Sequence, residues 1–125
     1  MKELDFKKQN YTVIGINNSI EGELKLTGDA IIHSSIKGTI TMFQEGTLIL
    51  ERNSSFEGTI YCNDIEVFGE VKGTIKANGK LIIRSSASIS GNIQAKQMSV
   101  YPGAILNIEG HTDDNEEKSS ADPVQ

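Results

Sequence analysis

Five copies of one short unit, apolar-x-Gly-x-apolar, recur along the chain at nearly constant spacing, and no other feature limits the fold as much. The copies are Ile20-Glu21-Gly22-Glu23-Leu24, Ile36-Lys37-Gly38-Thr39-Ile40, Phe56-Glu57-Gly58-Thr59-Ile60, Val71-Lys72-Gly73-Thr74-Ile75 and Ile89-Ser90-Gly91-Asn92-Ile93. A degraded sixth begins at Ile105, with Asn107 where glycine stands in the others. The steps from start to start are 16, 20, 15, 18 and 16 residues, a mean of 17. Repetition at a short fixed period points to a solenoid, in which each unit buries its apolar face only against its neighbours.

Within a unit the apolar residues alternate, which is the periodicity of a strand. Most periods carry a second alternating pair: Leu48 and Leu50, Ile65 and Val67, Leu81 and Ile83, Met98 and Val100. A six-residue beat runs through Ile20, Leu26 and Ile32, and again through Val71, Ala77, Ile83, Ile89 and Ala95. Three sides of about six residues make a turn of about eighteen, so the chain is expected to be all-β: a parallel β-helix with a triangular core and about six turns. Equivalent inward residues stack about 4.8 Å apart, and Ile20, Ile36, Phe56, Val71, Ile89 and Ile105 are expected to form one column. The central glycine is expected to point outward, serving a bend or a close approach, or else to be a plain turn residue.

Other architectures fit less well. Helical repeats need a longer unit and a 3.6-residue period. A βαβ unit needs a crossover of a dozen or more residues. A sandwich of hairpins predicts turn pairs such as Asn-Gly at each reversal, and the sequence has one, Asn78-Gly79.

Charge and cysteine content exclude several functions. The net charge of −5 is unevenly spread, +1 over 1–11, −2 over 12–110 and −4 over 111–125. Nothing in this distribution makes a basic footprint for nucleic acid. The single cysteine, Cys62, rules out an intrachain disulfide. No apolar run approaches bilayer length, and the N-terminus lacks the apolar core of a signal peptide, so the chain reads as intracellular. The expected division is a disordered N-terminal tail over 1–11, the β-helix over 12–110, and a disordered acidic tail over 111–125 that keeps filaments from bundling or binds a partner.

A β-helix has two open ends, each exposing unpaired backbone and a slice of core. Solenoids normally close them with polar capping repeats, and neither flank shows an amphipathic helix that would serve. The ends are therefore expected to stack. A triangular end has a cross-section of roughly 150 Å², from about 3.3 Å per strand residue. A junction would bury roughly 300 Å², worth about 7 kcal/mol, against an association cost of about 4–15 kcal/mol. Apolar burial alone is marginal, so hydrogen bonds across the joint decide, and assembly depends on concentration. The interface residues expected are Val13 and Ile14 at one end and Ile105, Leu106 and Ile108 at the other, although all five also serve to fill the terminal turns.

Catalytic chemistry is hard to assemble here. His33 and His111 are the only histidines, too few for a metal site of three or four ligands, and no cofactor or nucleotide is implied. Gly73 to Gly79-Lys80 departs from a phosphate loop in spacing and in Leu81 after the lysine. Cys62 reads as a small wall or core residue, and Glu21, Glu57 and Glu66 as solvated surface. A hexapeptide-repeat-like enzyme shares the six-residue beat, but its turns are regular and its histidines cluster. A binding module for a cell-wall or polysaccharide ligand is the alternative from another class, and would use Tyr61, Phe68 and Tyr101 if they shared one outer face. Leu4 and Phe6 among Lys2, Lys7 and Lys8 could touch a membrane weakly.

Taken together, the opening Thr12-Val13-Ile14-Gly15, the five units and the short polar flanks resemble the bactofilins, a family of bacterial cytoskeletal proteins, over roughly residues 12–110. The sixth unit departs from the pattern at Asn107 and Glu109. The resemblance implies a right-handed β-helix that assembles into filaments without nucleotide. It implies scaffolding of cell shape and partnership with a cell-wall hydrolase or synthase. It also implies a cytoplasmic location, with membrane contact through the N-terminal tail at the inner face of the cytoplasmic membrane.

Overall fold

The computed structural model describes residues 11–15, 18–43 and 45–112. Strands of two lengths alternate along the chain, and no helix occurs among the described residues. The short strands are β1 (Tyr11–Ile14), β3 (Asp29–Ile32), β5 (Thr47–Leu50), β7 (Asp64–Val67), β9 (Lys80–Ile83) and β11 (Gln97–Val100). The long ones are β2 (Ser19–Leu26), β4 (Ser35–Met42), β6 (Ser55–Cys62), β8 (Glu70–Ala77), β10 (Ser88–Ala95) and β12 (Ile105–Thr112). Short strands form one six-stranded sheet, in the order β1-β3-β5-β7-β9-β11, and long strands form another, β12-β10-β8-β6-β4-β2. The pairing is parallel throughout. A chain that alternates between two parallel sheets, climbing one strand each time, is a β-solenoid of about six turns. A sandwich of hairpins, which requires antiparallel pairs, is excluded.

The repeat sets the register. Gly22, Gly38, Gly58, Gly73 and Gly91 stack directly on one another. Ile36, Phe56, Val71 and Ile89 form one buried inward column, and Ile40, Ile60, Ile75 and Ile93 a second. The second apolar pairs of the short strands, from Leu48 and Leu50 to Leu81 and Ile83, are buried as the alternation requires.

Two expectations need correction. The inward column does not end on Ile105. β12 pairs Leu106 with Ile89 and Ile108 with Gly91, one residue on from the sequence alignment, and Ile105 faces solvent at 66% exposure. A pattern match takes Ile105 as the first apolar residue of the degenerate sixth unit, whereas alternation puts Leu106 and Ile108 on the core side. The glycines, in turn, do not point outward. Their φ values of 126–138° bend each long strand at its middle into two sides of the coil. A Cβ built on Gly38, Gly58, Gly73 or Gly91 would point along the solenoid axis and stand 1.8–1.9 Å from the carbonyl oxygen of the glycine in the coil before. Bend and close approach are therefore the same constraint, and only glycine satisfies it.

Side chains finish the corners. The Asp29 and Asp64 carboxylates accept hydrogen bonds from the Thr47 and Lys80 backbone N–H groups at 2.9 and 2.8 Å, tying one coil to the next. Ser54 Oγ donates to the Glu51 carbonyl at 2.7 Å. β1 begins at Tyr11 and β12 ends at Thr112, close to the flanks of the expected 12–110 domain. The expectations for 1–10 and 113–125, including membrane contact by Leu4 and Phe6, lie outside the described residues.

Candidate functional site

The solenoid is sealed along its sides and open at its ends. Interior strands pair on both edges, whereas β1 and β2 at one end, and β11 and β12 at the other, pair on one edge only. Their free edges carry backbone donors and acceptors that no described residue covers, the arrangement that templates further strand pairing. The core is open at the same places. Nine apolar residues pack against it while remaining partly exposed: Ile14, Ile20, Leu24 and Leu26 at one end, and Met98, Val100, Ala104, Leu106 and Ile108 at the other. All nine belong to the first or last coil. The exposed slice of core at each end is thus what is left when a repeating column stops.

Of the residues expected at the interface, Ile14, Leu106 and Ile108 lie in these terminal slices of core. Val13, 56% exposed, faces outward from β1, and Ile105 outward from β12. The expectation missed Ile20, Leu24, Leu26, Met98 and Val100. Their signal was available, because each is the first or last member of an apolar column.

The two ends differ at the glycine position. A Cβ on Gly22 would meet nothing within 4 Å, so the N-terminal end presents an open bend. At the other end Ile108 stands in register with Gly91. A β-branched residue disfavours positive φ, so the glycine ladder stops there and an aliphatic side chain takes its place against the core.

The remaining candidates separate from one another. Tyr61 lies on β6, with the Lys76 ammonium 5.9 Å from its ring centroid. Phe68 and Tyr101 lie at a different corner, following β7 and β11, where the Arg84 guanidinium sits 5.6 and 4.6 Å from their rings. The three aromatics therefore do not form one binding platform. Glu21 and Glu57 are exposed, but Glu66 is not freely solvated: Arg84 Nε donates to its Oε2 at 2.6 Å. That hydrogen bond is the first cause of the raised pKa of Arg84, and the Glu66 charge adds to it.

Cys62 is in the core, and burial, with a smaller effect from the Asp64 charge, pushes its thiol up to about 12. It is thus protonated and a poor nucleophile near neutral pH. Among the described residues no three His, Cys, Asp or Glu side chains are grouped to hold a metal ion, and there is no helix long and apolar enough to cross a membrane.

The family model of the bactofilins, described as polymer-forming cytoskeletal proteins, matches residues 12–111. The bactofilin BacO of Myxococcus xanthus (strain DK1622) is 30% identical over 93 residues, covering 74% of this chain and 72% of that protein. No solved structure matches the chain.

Proposed function

The chain belongs to the bactofilin family, a polymer-forming cytoskeletal family, and from that premise we propose that its protomers stack end to end, coil on coil, into filaments that need no nucleotide. Its role is structural and cytoskeletal. The observation that carries the stacking is that all nine partly buried apolar residues packed on the core lie in the two terminal coils. A second protomer would cover them while pairing the free edges of both sheets.

In this reading Val13 and Ile14 act at one end, and Leu106 and Ile108, flanked by Ile105, at the other. The hydrogen bonds needed to make the marginal apolar burial sufficient come from the free strand edges of the terminal coils. The filament scaffolds cell shape or localises a cell-wall hydrolase or synthase. It works in the cytoplasm, at the inner face of the membrane, with Leu4 and Phe6 as the lipid contact.

Electron microscopy and sedimentation of the purified full chain, without nucleotide and across a concentration series, test the stacking. Filaments one solenoid wide, appearing above a threshold concentration, are the expected result. Uniform single particles at every concentration would sink it.

A further inference from the structure

The turns that carry the chain from long strands to short ones differ in length: four residues after Met42, one after Cys62, two after Ala77 and one after Ala95. A one-residue turn set between longer ones leaves a groove of about 330 Å³ along this corner. Met42, Tyr61, Lys76 and Gln94, one from each of four successive coils, line it. Met42 is buried, and with Cys62 and Ala77 it closes the groove on the core side. Tyr61, Lys76 and Gln94 stand outward in one column. No carboxylate is among the lining residues.

Cations gather at the same corner. Lys80 follows Asn78, a groove residue, by two positions, and the Lys96 backbone N–H donates to the Gly79 carbonyl between them at 3.0 Å. Lys76, Lys80 and Lys96 are exposed, and none forms an ion pair with a described residue. Elsewhere positive charge is matched: Lys37 stands in register between Glu21 and Glu57, Lys72 lies 3.9 Å from Glu70, and Arg84 holds Glu66. Here three ammonium groups stand against one carboxylate, that of Asp64, which accepts the Lys80 backbone N–H at 2.8 Å.

We propose that this groove holds the chain's own acidic segment, residues 113–125, folded back along the side of the solenoid. Its point of departure is the first argument. Thr112 ends β12 in register with Ala95, so the segment leaves at the corner where Lys96 follows Ala95. Asp113, Asp114, Glu116 and Glu117 come at once, Asp122 comes later, and Lys118 is the one cation among them. Reach is the second argument. From Thr112 back to Met42 is four coils, about 19 Å, whereas thirteen extended residues span about 43 Å. The third is the tether. A segment attached beside its site is present at about millimolar effective concentration, so exposed ion contacts worth little between separate molecules are occupied within one. Docked in this way, the segment lies on the side of the solenoid and leaves the free edges of β11 and β12 clear. The proposal is therefore compatible with the end-to-end reading and does not rest on it.

The test is cleavage of the full chain after Glu116 and Glu117 by a glutamate-specific protease, read by mass spectrometry, with the free peptide 113–125 in the same buffer as the reference rate. At about 0.01 M salt, where charges act over about 30 Å, wild type is expected to be cut at least fivefold more slowly than the peptide. At about 1 M salt, where they act over about 3 Å, the two rates should meet. The double variant Lys76→Glu, Lys96→Glu should be cut at the peptide's rate in both buffers, with its circular dichroism spectrum unchanged. Lys37→Glu, on another face, should be protected like wild type. Protection should be the same at every protein concentration, since donor and site belong to one chain. Three outcomes overturn the proposal: wild type cut like the peptide at low salt, protection retained by the double variant, or equal loss in Lys37→Glu. Protection that appears only as concentration rises places the segment on a neighbouring protomer and overturns it too. So does a wild type whose own segment is cut freely while it binds an added glutamate-rich peptide, which makes the groove a site for an acidic partner.

Discussion

Gly58 lies so close to Gly38 that a methyl group on its Cα would stand 1.8 Å from the Gly38 carbonyl oxygen. The obstacle is backbone inside a parallel sheet, so no rotamer change relieves it. The φ of 138° at Gly58 adds a second barrier, because that region is open essentially to glycine alone.

Gly58→Ala is therefore expected to abolish folding or to cost more than about 4 kcal/mol. Gly22→Ala separates the two effects. Its φ is 126° but its Cβ would enter open space, so it loses about 1–3 kcal/mol from backbone strain alone. Urea titrations of the two variants give the comparison, and equal losses would show that the contact adds nothing to the strain.

Ser34 offers a stabilising substitution. Its Oγ is buried without a hydrogen-bond partner among the described residues. The same corner holds Ala87 two coils beyond Ser54, as the ladder from Ser34 through Ser54 and Gly69 to Ala87 shows. An unpaired buried hydroxyl costs about 1–3 kcal/mol, so Ser34→Ala should raise stability by about 1 kcal/mol. Ser54→Ala, which removes the bond to Glu51, should not. A thermal melt of each variant checks the pair.

Cys62 predicts an alkaline weakness. The unfolded thiol ionises near 9.0, whereas the folded one keeps its proton to about 12. Between these values the native state binds the extra proton, so stability falls as pH rises, by about 1.4 kcal/mol per pH unit. Unfolding free energy measured at pH 8 and pH 11 should drop further in wild type than in Cys62→Ala. Equal drops would mean that the thiol is not the group responsible.

Ile108→Arg probes the C-terminal end. The residue is partly exposed, so the fold should survive with a loss of about 1–2 kcal/mol. A charge buried at the joint has no partner there and costs more than the marginal contact supplies. The sedimenting fraction should fall at least tenfold while circular dichroism is retained. Pelleting like wild type would remove Ile108 from the interface.

Much of this molecule was legible because a solenoid is nearly one-dimensional. Each coil meets only its neighbours, so the spacing from Ile20 to Ile89 in the sequence carried directly into the register of β2 through β10. Legibility failed where the repeat decays. Ile105 and Leu106 are both apolar, and a pattern match alone could not say which continues the column. Pairing with β10 decides it, because only one register puts two side chains on the core and keeps the ladder of hydrogen bonds.

The amino-acid sequence by itself determined a coil of about seventeen residues and its inward columns, both of which follow from alternation and a short period. Tertiary structure alone decided the direction of the glycines, the pairing of Glu66 with Arg84 and the register of β12. Each of these depends on which residues of different coils stand side by side. It decided which residues close the core at each end in the same way: Ile14, Leu106 and Ile108 look like any other core residues until the stack on one side of them stops.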